Sequence, residues 1–475
     1  MAIARKIAYN VIFNAAAKVV STVLALIGIG FVTRYLGKEG FGNYSVVIAF
    51  FSFFGAIADL GLYAIATRNI SREGADEEKI IGNVLALRMT TAVSIFVLSP
   101  LLAYFLPYSN EVKLGIVLSA GAFVFASTYG VLNGVFQKNL AMDKVSLVEL
   151  LGKAIQVGAI VIAVKKDWGF NAIIISMLVA MAFNFSLIFL LARRYIRIRL
   201  RFDFSYWKMF LKESFPMGIS VIVTFLYFKL DTILLSILQD SSQVGIYNAA
   251  YKVIENFTFF PAMIIGLVLP LMSRNIFSDK ARFEYISNET IKVFLILAIP
   301  LVIGTLFLSD QIIGLIAGQG FSEAAGTLRI LIFALAFIFF GHFFNNILIA
   351  GNMQKKLMLV LSASAAFNIV ANLLLIPIFS YTGAAVVSVF TEFLVVVLTF
   401  NLTKKYLGFK PRVKNVWGIL GSGAVMAIFL LSFSGLNMFV LALGAALVYG
   451  AALFATKTVS IGELASIVSV KQKAV

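Results

Sequence analysis

At 475 residues, 61% hydrophobic and only 13% charged, the chain has too little polar surface to cover a soluble globule, since soluble proteins are about 45–50% apolar and about 25% charged. Its mean hydropathy of +0.98 defines an integral membrane protein, and its apolar stretches far outrun the roughly ten-residue alternating strands of membrane barrels. There is no cysteine, which excludes disulfides, thiolate nucleophiles and Cys-based metal sites. The net charge of +17 raises the question of nucleic acid, which the placement of the basic residues decides.

A spanning helix needs about 20 mostly apolar residues. Taken in chain order, spans are predicted near 11–33, 43–66, 80–107, 113–136, 146–165 and 170–192. After a break they continue near 214–238, 246–272, 291–308, 325–350, 357–377, 382–402, 417–433 and 437–456. The first contains Lys18 and runs into "RYLGKEGFG" without a cleavage site, so it reads as a span and not a leader. The break, "ARRYIRIRLRFDFSYWKMFLKES", sets five arginines beside Tyr206 and Trp207, as expected of a segment lying at a cytoplasmic membrane surface. The predicted layout is a six-helix lobe (1–192), an amphipathic cytoplasmic linker (193–213), a second six-helix lobe (214–405), and two further helices with a cytoplasmic tail (406–475).

With the N-terminus inside, cytoplasmic segments hold 27 of the 39 basic residues and outer loops hold six. That asymmetry orients the chain with both termini cytoplasmic and accounts for most of the +17 without nucleic acid. Glu39, Asp240 and Asp310 are then external, and Asp76, Arg199, Lys280 and Lys404 internal.

Short stretches recur in order. "GNYS" at Gly42 returns as "GIYN" at Gly245, and "RNI" at Arg68 returns at Arg274. Asn133 and Lys144 return as Asn345 and Lys356, and "GFNA" at Gly169 has a counterpart in "GAAV" at Gly383. The offsets grow slowly from 203 to 214. Six spans separate equivalent positions, so the halves enter the membrane in one direction. This is a parallel repeat, with a central cavity expected between the lobes.

Several chemistries are absent. Gly37-Lys38 and Gly152-Lys153 lack the glycine and Ser/Thr of a P-loop, and His342 is the single histidine. "ADEEK" around Asp76 reads as a helix start, where carboxylates suit the dipole. The informative residues are charges inside spans, each costing about 2.5–3.5 kcal/mol against lipid. Glu149 and Lys153, four apart near a span end, are expected to pair locally. Lys18, Arg88, Lys229 and Lys252 have no obvious local role and form the expected cationic cavity, which suits an anion. Asp59, Asp231, Glu255 and Glu392 are the candidates for gating or ion coupling. In "FKLDTILL", Lys229 and Asp231 point opposite ways. At about 1.5 Å per residue Asp231 lies as deep as Lys252, so those two are expected to pair and Lys229 to turn to the cavity.

"RYLGKEGFGNYS", "ADLGLYAIATRNIS", "FKLDTILL…VGIYNAAYK" and "NILIAGNMQKKLM" resemble, in that order, signature segments of the polysaccharide exporters, over about residues 10 to 405. The chain is thereby identified as similar to the oligosaccharide flippases of the multidrug/oligosaccharidyl-lipid/polysaccharide (MOP) exporter superfamily. The resemblance implies an all-α membrane protein of about fourteen helices in the cytoplasmic membrane, exporting a polyprenyl-diphosphate-linked oligosaccharide by alternating access. It implies no cofactor, no metal site and no broken bond, with Na+ or H+ as candidate coupling ions. Cations in a central cavity would stabilise the diphosphate across about 30 Å of hydrocarbon. The rivals are a cation-coupled multidrug exporter of the same superfamily, which favours a drug pocket and usually has twelve spans, and a membrane glycosyltransferase or polymerase, which needs a sizeable catalytic loop.

Overall fold

The computed structural model describes residues 2–59 and 61–459; the tail from 460 onward lies outside the described residues. Fourteen α-helices follow one another: α1 (Ala2–Asp59), α2 (Leu62–Ile70), α3 (Glu77–Tyr104), α4 (Asn110–Lys138), α5 (Met142–Lys165), α6 (Gly169–Ala192) and α7 (Phe204–Leu238). Then come α8 (Ser241–Phe257), α9 (Phe259–Asn275), α10 (Lys280–Ile316), a 3₁₀ turn (Gln319–Phe321), α11 (Ala324–Ala350), α12 (Gln354–Leu407), α13 (Val416–Ser432) and α14 (Met438–Ala455). No strand occurs among the described residues.

At about 1.5 Å per residue a straight α1 would be nearly three hydrocarbon cores long. Instead it reverses at Gly37 (φ 66°, ψ −171°). Asn10 donates to the Leu140 carbonyl at one end of the layer (2.8 Å), and Tyr35 reaches Asp167 at the other. Beyond Gly37 the helix runs back along α4, so that a Cβ on Gly115 would meet Val47, and α2 also lies against α4, so that one on Gly134 would meet Thr67. α12 reverses likewise at Ser380 (φ 50°, ψ −135°). With α1 and α12 counted as two spans each, and α1–α2 and α8–α9 as continuous crossings, the order is that of the fourteen predicted spans. Asp76 caps α3 by accepting from the Lys79 amide (2.9 Å), the role expected of "ADEEK".

The repeat extends to the backbone. The α4–α5 and α11–α12 turns each place one residue in the left-handed region, Leu140 and Asn352. Each turn closes with an equivalent amide bond, Ala141 to the Phe136 carbonyl (2.9 Å) and Met353 to the Leu348 carbonyl (2.8 Å). Lys144 lies over the Tyr195 ring, and Lys356, its repeat partner, over Tyr406. After the sixth span of each half a basic strap is pinned to a helix by an asparagine: Asn83 accepts from the Asp203 amide (3.0 Å) and Asn288 from the Arg412 amide (2.7 Å).

By contact the chain divides into two compact units. One comprises Met1–Ala249, Ile316–Phe321 and Ala365–Ala384, the other Ala250–Leu315, Ser322–Ser364 and Ala385–Val475. The first has a core into which α7 inserts Trp207 and Phe210 beside Ile81, Phe136 and Ile188. Within it the repeated "GNYS/GIYN" glycines face each other. A Cβ on Gly42 would lie 1.8 Å from the Ser241 carbonyl oxygen, and one on Gly245 would lie 2.1 Å from that of Lys38. Lys38 and Ser241 are themselves related by the same 203-residue offset, so the contact is reciprocal, as a two-fold-related crossing must be. In the second unit α13 and α14 pack on α10 through Met426, Leu430, Leu441 and Tyr449, and Tyr449 Oη donates to the Ile296 carbonyl (3.1 Å).

Candidate functional site

The second span of each half is interrupted. α1 stops at Asp59, Gly61 turns left-handed (φ 75°), and α2 restarts at Leu62. In the other half Pro261 has no N–H to give the Phe257 carbonyl, and α8 gives way to α9 there, with the Thr258 hydroxyl donating to the Glu255 carbonyl (2.8 Å). Interrupted helices at membrane depth are tolerated where they line a cavity or are covered by protein, and they bring charge beside freed backbone groups.

Arg88, on α3, is buried beside the first interruption, its Nη1 3.0 Å from Asp59 Oδ1. The two are in close charge contact, yet among the described residues Nε and Nη1 of Arg88 meet no partner in full hydrogen-bond geometry. Gly130 on α4 leaves room beside the fork, since a Cβ there would stand 3.9 Å from Arg88 Nη2. A guanidinium held in place by one half-exposed carboxylate and keeping unused donors can take a second anion bidentately.

The same unit gathers charge that sequence spacing assigned elsewhere. Glu149 lies within Coulombic reach of Lys18, and Tyr63 and Tyr129 are both within reach of Glu149. Lys153, the expected i,i+4 partner of Glu149, has its Nζ 2.9 Å from Gln156 Oε1. Lys18 and Glu149 are both exposed. At their depth that surface meets either lipid or water, and the cost of facing lipid assigns it to water. Tyr63 also draws on Asp59 electrostatically and donates to Gln137 Oε1 (2.8 Å). Lys18, Asp59, Arg88, Glu149, Tyr63 and Tyr129 are thus one polar neighbourhood, whose last three members the sequence reading did not place there.

Asp231, on α7, is buried and accepts two hydrogen bonds from neutral donors. Tyr247 Oη on α8 is 3.0 Å from Oδ2, and Asn372 Nδ2 on α12 is 2.7 Å from Oδ1. Asn372 also reaches Asn368 Oδ1 (3.1 Å), while its own Oδ1 is buried without a hydrogen-bond partner among the described residues. A carboxylate beside amide oxygens is the ligand chemistry of a hard cation. Among the described residues no group of three His, Cys, Asp or Glu is able to hold a metal ion. Lys229, one half-turn before Asp231, is partly buried.

In the second unit Lys252 Nζ is 2.6 Å from Glu255 Oε2, an i,i+3 pair on one face of α8. Glu392 is buried on α12, and Lys292 stands 3.9 Å from Glu289. An apolar cleft of about 330 Å³ lies between α10 and the terminal helix pair, lined by Phe257, Pro300, Leu301, Phe339, Met426 and Ala445. No motif in the terminal pair had pointed to it.

Long apolar helices with interrupted spans and buried charge are the architecture of a multi-pass membrane protein. Residues 7–276 match the model of the polysaccharide biosynthesis protein family, and residues 216–374 match the MatE model. The chain is 23% identical over 426 residues to "Probable low-salt glycan biosynthesis flippase Agl15" of Haloferax volcanii, covering 87% of each chain. It is 23% identical to "Capsular polysaccharide biosynthesis protein CapF" of Staphylococcus aureus over 57% of this chain and 70% of that one. Its fold is that of lipid II flippase MurJ (TM-score 0.76, 16% identity, 96% of this chain and 100% of that one). It is also similar to an inward-facing multidrug resistance MATE transporter (TM-score 0.67, 14% identity, 84% and 98%). The chain belongs to the polysaccharide biosynthesis protein family of the MOP superfamily, whose members are transporters and not enzymes.

Proposed function

We propose that this protein flips a polyprenyl-diphosphate-linked oligosaccharide outward across the cytoplasmic membrane by alternating access, with both termini cytoplasmic. The observation that carries the reading is Arg88: a buried guanidinium with unused donors beside an interrupted span, in a polysaccharide-biosynthesis chain. In this reading the repeat divides the chain into six-helix lobes 1–192 and 214–405, with 193–213 as the linker and 406–475 as the added pair and tail. Arg88 and Lys18 take the diphosphate as it leaves water, and Lys229 and Lys252 are the candidate anion-binding cations of the second half. The apolar cleft beside α13 and α14 offers hydrocarbon-like surface to a polyprenyl chain.

Asp231 is the coupling carboxylate in this scheme, either taking H+ on its own oxygens or holding Na+ with amide oxygens from Asn368 and Asn372. Asp59, Glu255 and Glu392 are further gating or coupling candidates. Asp59 releases Arg88 when phosphate replaces it, which links substrate arrival to the break after α1. Support for a glycan over a drug comes from the cationic character of the site and the family match over residues 7–276. The test is reconstitution of the purified protein in proteoliposomes with a lipid-linked oligosaccharide and, separately, with a cationic drug. Transport of the drug alone would favour the multidrug reading.

A further inference from the structure

The six-residue connection from Ile70 to Glu77 and the first turns of α7 enclose a second polar cavity, apart from the Arg88–Asp59 neighbourhood. It measures about 780 Å³ and is lined by Asn69, Arg72, Glu73, Tyr206, Met209 and Lys212, among others. Its floor is fixed, because Glu213 is held by Arg68 in an ion pair and by Asn69 Nδ2 at 3.3 Å. Tyr206 is fixed too. Its amide donates to Asp203 Oδ1 (3.0 Å), its ring stacks on Phe210 at 5.8 Å, and Lys79 Nζ lies 5.7 Å from the ring centroid. Burial, with Glu213 and Asp76 nearby, pushes the Tyr206 hydroxyl up from its ordinary value, so it remains a donor at neutral pH.

The walls differ from the floor. Arg72 and Lys212 are exposed and take part in no ion pair among the described residues, although Glu213 is next to Lys212 in sequence. Two available cations, a fixed aromatic ring and the exposed Glu73 carboxylate are the groups that recognise phosphate, a sugar ring and sugar hydroxyls respectively. Met209 at the cavity is exposed, and Phe202, Phe204 and Phe215, close to the lining residue Tyr206 or Glu213 in sequence, are exposed apolar residues as well. That apolar surface belongs in the membrane boundary, which selects a lipid-borne headgroup over a soluble sugar phosphate. The volume falls in the range of ligand sites, about 300–1,000 Å³.

We propose that this cavity is a loading site that binds the sugar-diphosphate head of the lipid-linked substrate at the cytoplasmic surface before it enters the transport path. The proposal rests on the flippase reading and on the orientation given with it. Without cysteine of its own, the full-length chain can carry a single Met209→Cys probe in the cavity. Maleimide labelling in detergent is measured with geranyl-diphosphate-linked N-acetylglucosamine, with the phosphate-free geranyl glycoside, and with phosphatidylglycerol micelles.

The diphosphate compound is expected to slow labelling several-fold while the glycoside does not. Arg72→Gln with Lys212→Gln should raise the concentration for half-protection about tenfold, the loss of a charged phosphate contact. No protection by the diphosphate compound would overturn the proposal, and so would equal protection by phosphatidylglycerol. In proteoliposomes the same double variant should flip at the wild-type maximal rate with a raised half-saturating substrate level. Wild-type behaviour at every substrate level would remove the loading site and leave the flippase reading intact. A wild-type protein that flips no lipid-linked glycan would instead remove the reading on which the proposal rests.

Discussion

Asp231 keeps a carboxylate in an apolar layer with Tyr247 and Asn372 among the groups aimed at it, the second 141 residues away on α12. Asp231→Asn turns one acceptor into a donor facing Tyr247 Oη or Asn372 Nδ2, so a buried polar group loses its partner at about 1–3 kcal/mol. Thermal unfolding should fall accordingly. Exchanging the pair, Asp231→Asn with Asn372→Asp, restores one donor against one acceptor and should recover much of the loss. Additive losses in that cycle would show that the two residues do not act together. The proposed coupling role adds a second readout: Asp231→Asn should flatten the dependence of transport on the driving ion. The local half of this site was legible in "FKLDTILL", since a charge at that depth requires partners. Their identity was not, because neither tyrosine nor asparagine stands out by hydropathy and Asn372 is remote in sequence. Glu149 teaches the same lesson from the other side: an i,i+4 rule finds Lys153, whereas Lys18 is brought to it by the packing of α1 on α5.

Among the elements, the crossing of α1 and α8 is set by two glycines. Gly42→Ala or Gly245→Ala places a methyl group against a carbonyl oxygen, at 1.8 and 2.1 Å before relaxation. Backbone must move, and overpacking of this kind costs about 1–3 kcal/mol. Gly158→Ala on α5 is the control, since a Cβ there meets nothing within 4 Å. Removing glycine from a helix interior should leave stability equal or raise it by up to about 1 kcal/mol. Equal thermal shifts for Gly42→Ala and Gly158→Ala would refute the close crossing. The repeat that aligns Gly42 with Gly245 was readable in the sequence, and so were the spans, because hydropathy marks both. The break after Asp59 was not, since it follows from the left-handed conformation of Gly61 and no proline announces it. The α8–α9 break does carry a signal, Pro261 in "FFPAM".

At the scale of the whole molecule, the two asparagine-pinned straps lie at the same end of each half's helix order and are rich in Lys and Arg. In the proposed orientation that end is cytoplasmic, in keeping with the positive-inside tendency. Single cysteines replacing Glu39, Asp240 and Asp310 in intact cells should react with an impermeant thiol reagent. Those replacing Asp76, Arg199, Lys280 and Lys404 should not. Strong labelling at Arg199 would invert the orientation and, with it, the direction of transport.

The central claim is that a buried, incompletely bonded guanidinium passes a lipid-linked diphosphate across the membrane. It is tested most directly by flipping of a polyprenyl-diphosphate-linked oligosaccharide in proteoliposomes, comparing the wild type with Arg88→Lys and Arg88→Gln. Lysine keeps the charge against Asp59 but loses the two-pronged fork. The account predicts that Arg88→Lys unfolds within a few degrees of the wild type yet flips at least about tenfold more slowly, the equivalent of one lost charged contact. Arg88→Gln should be slower still. A folded Arg88→Gln protein that flips the glycan lipid at the wild-type rate would contradict it.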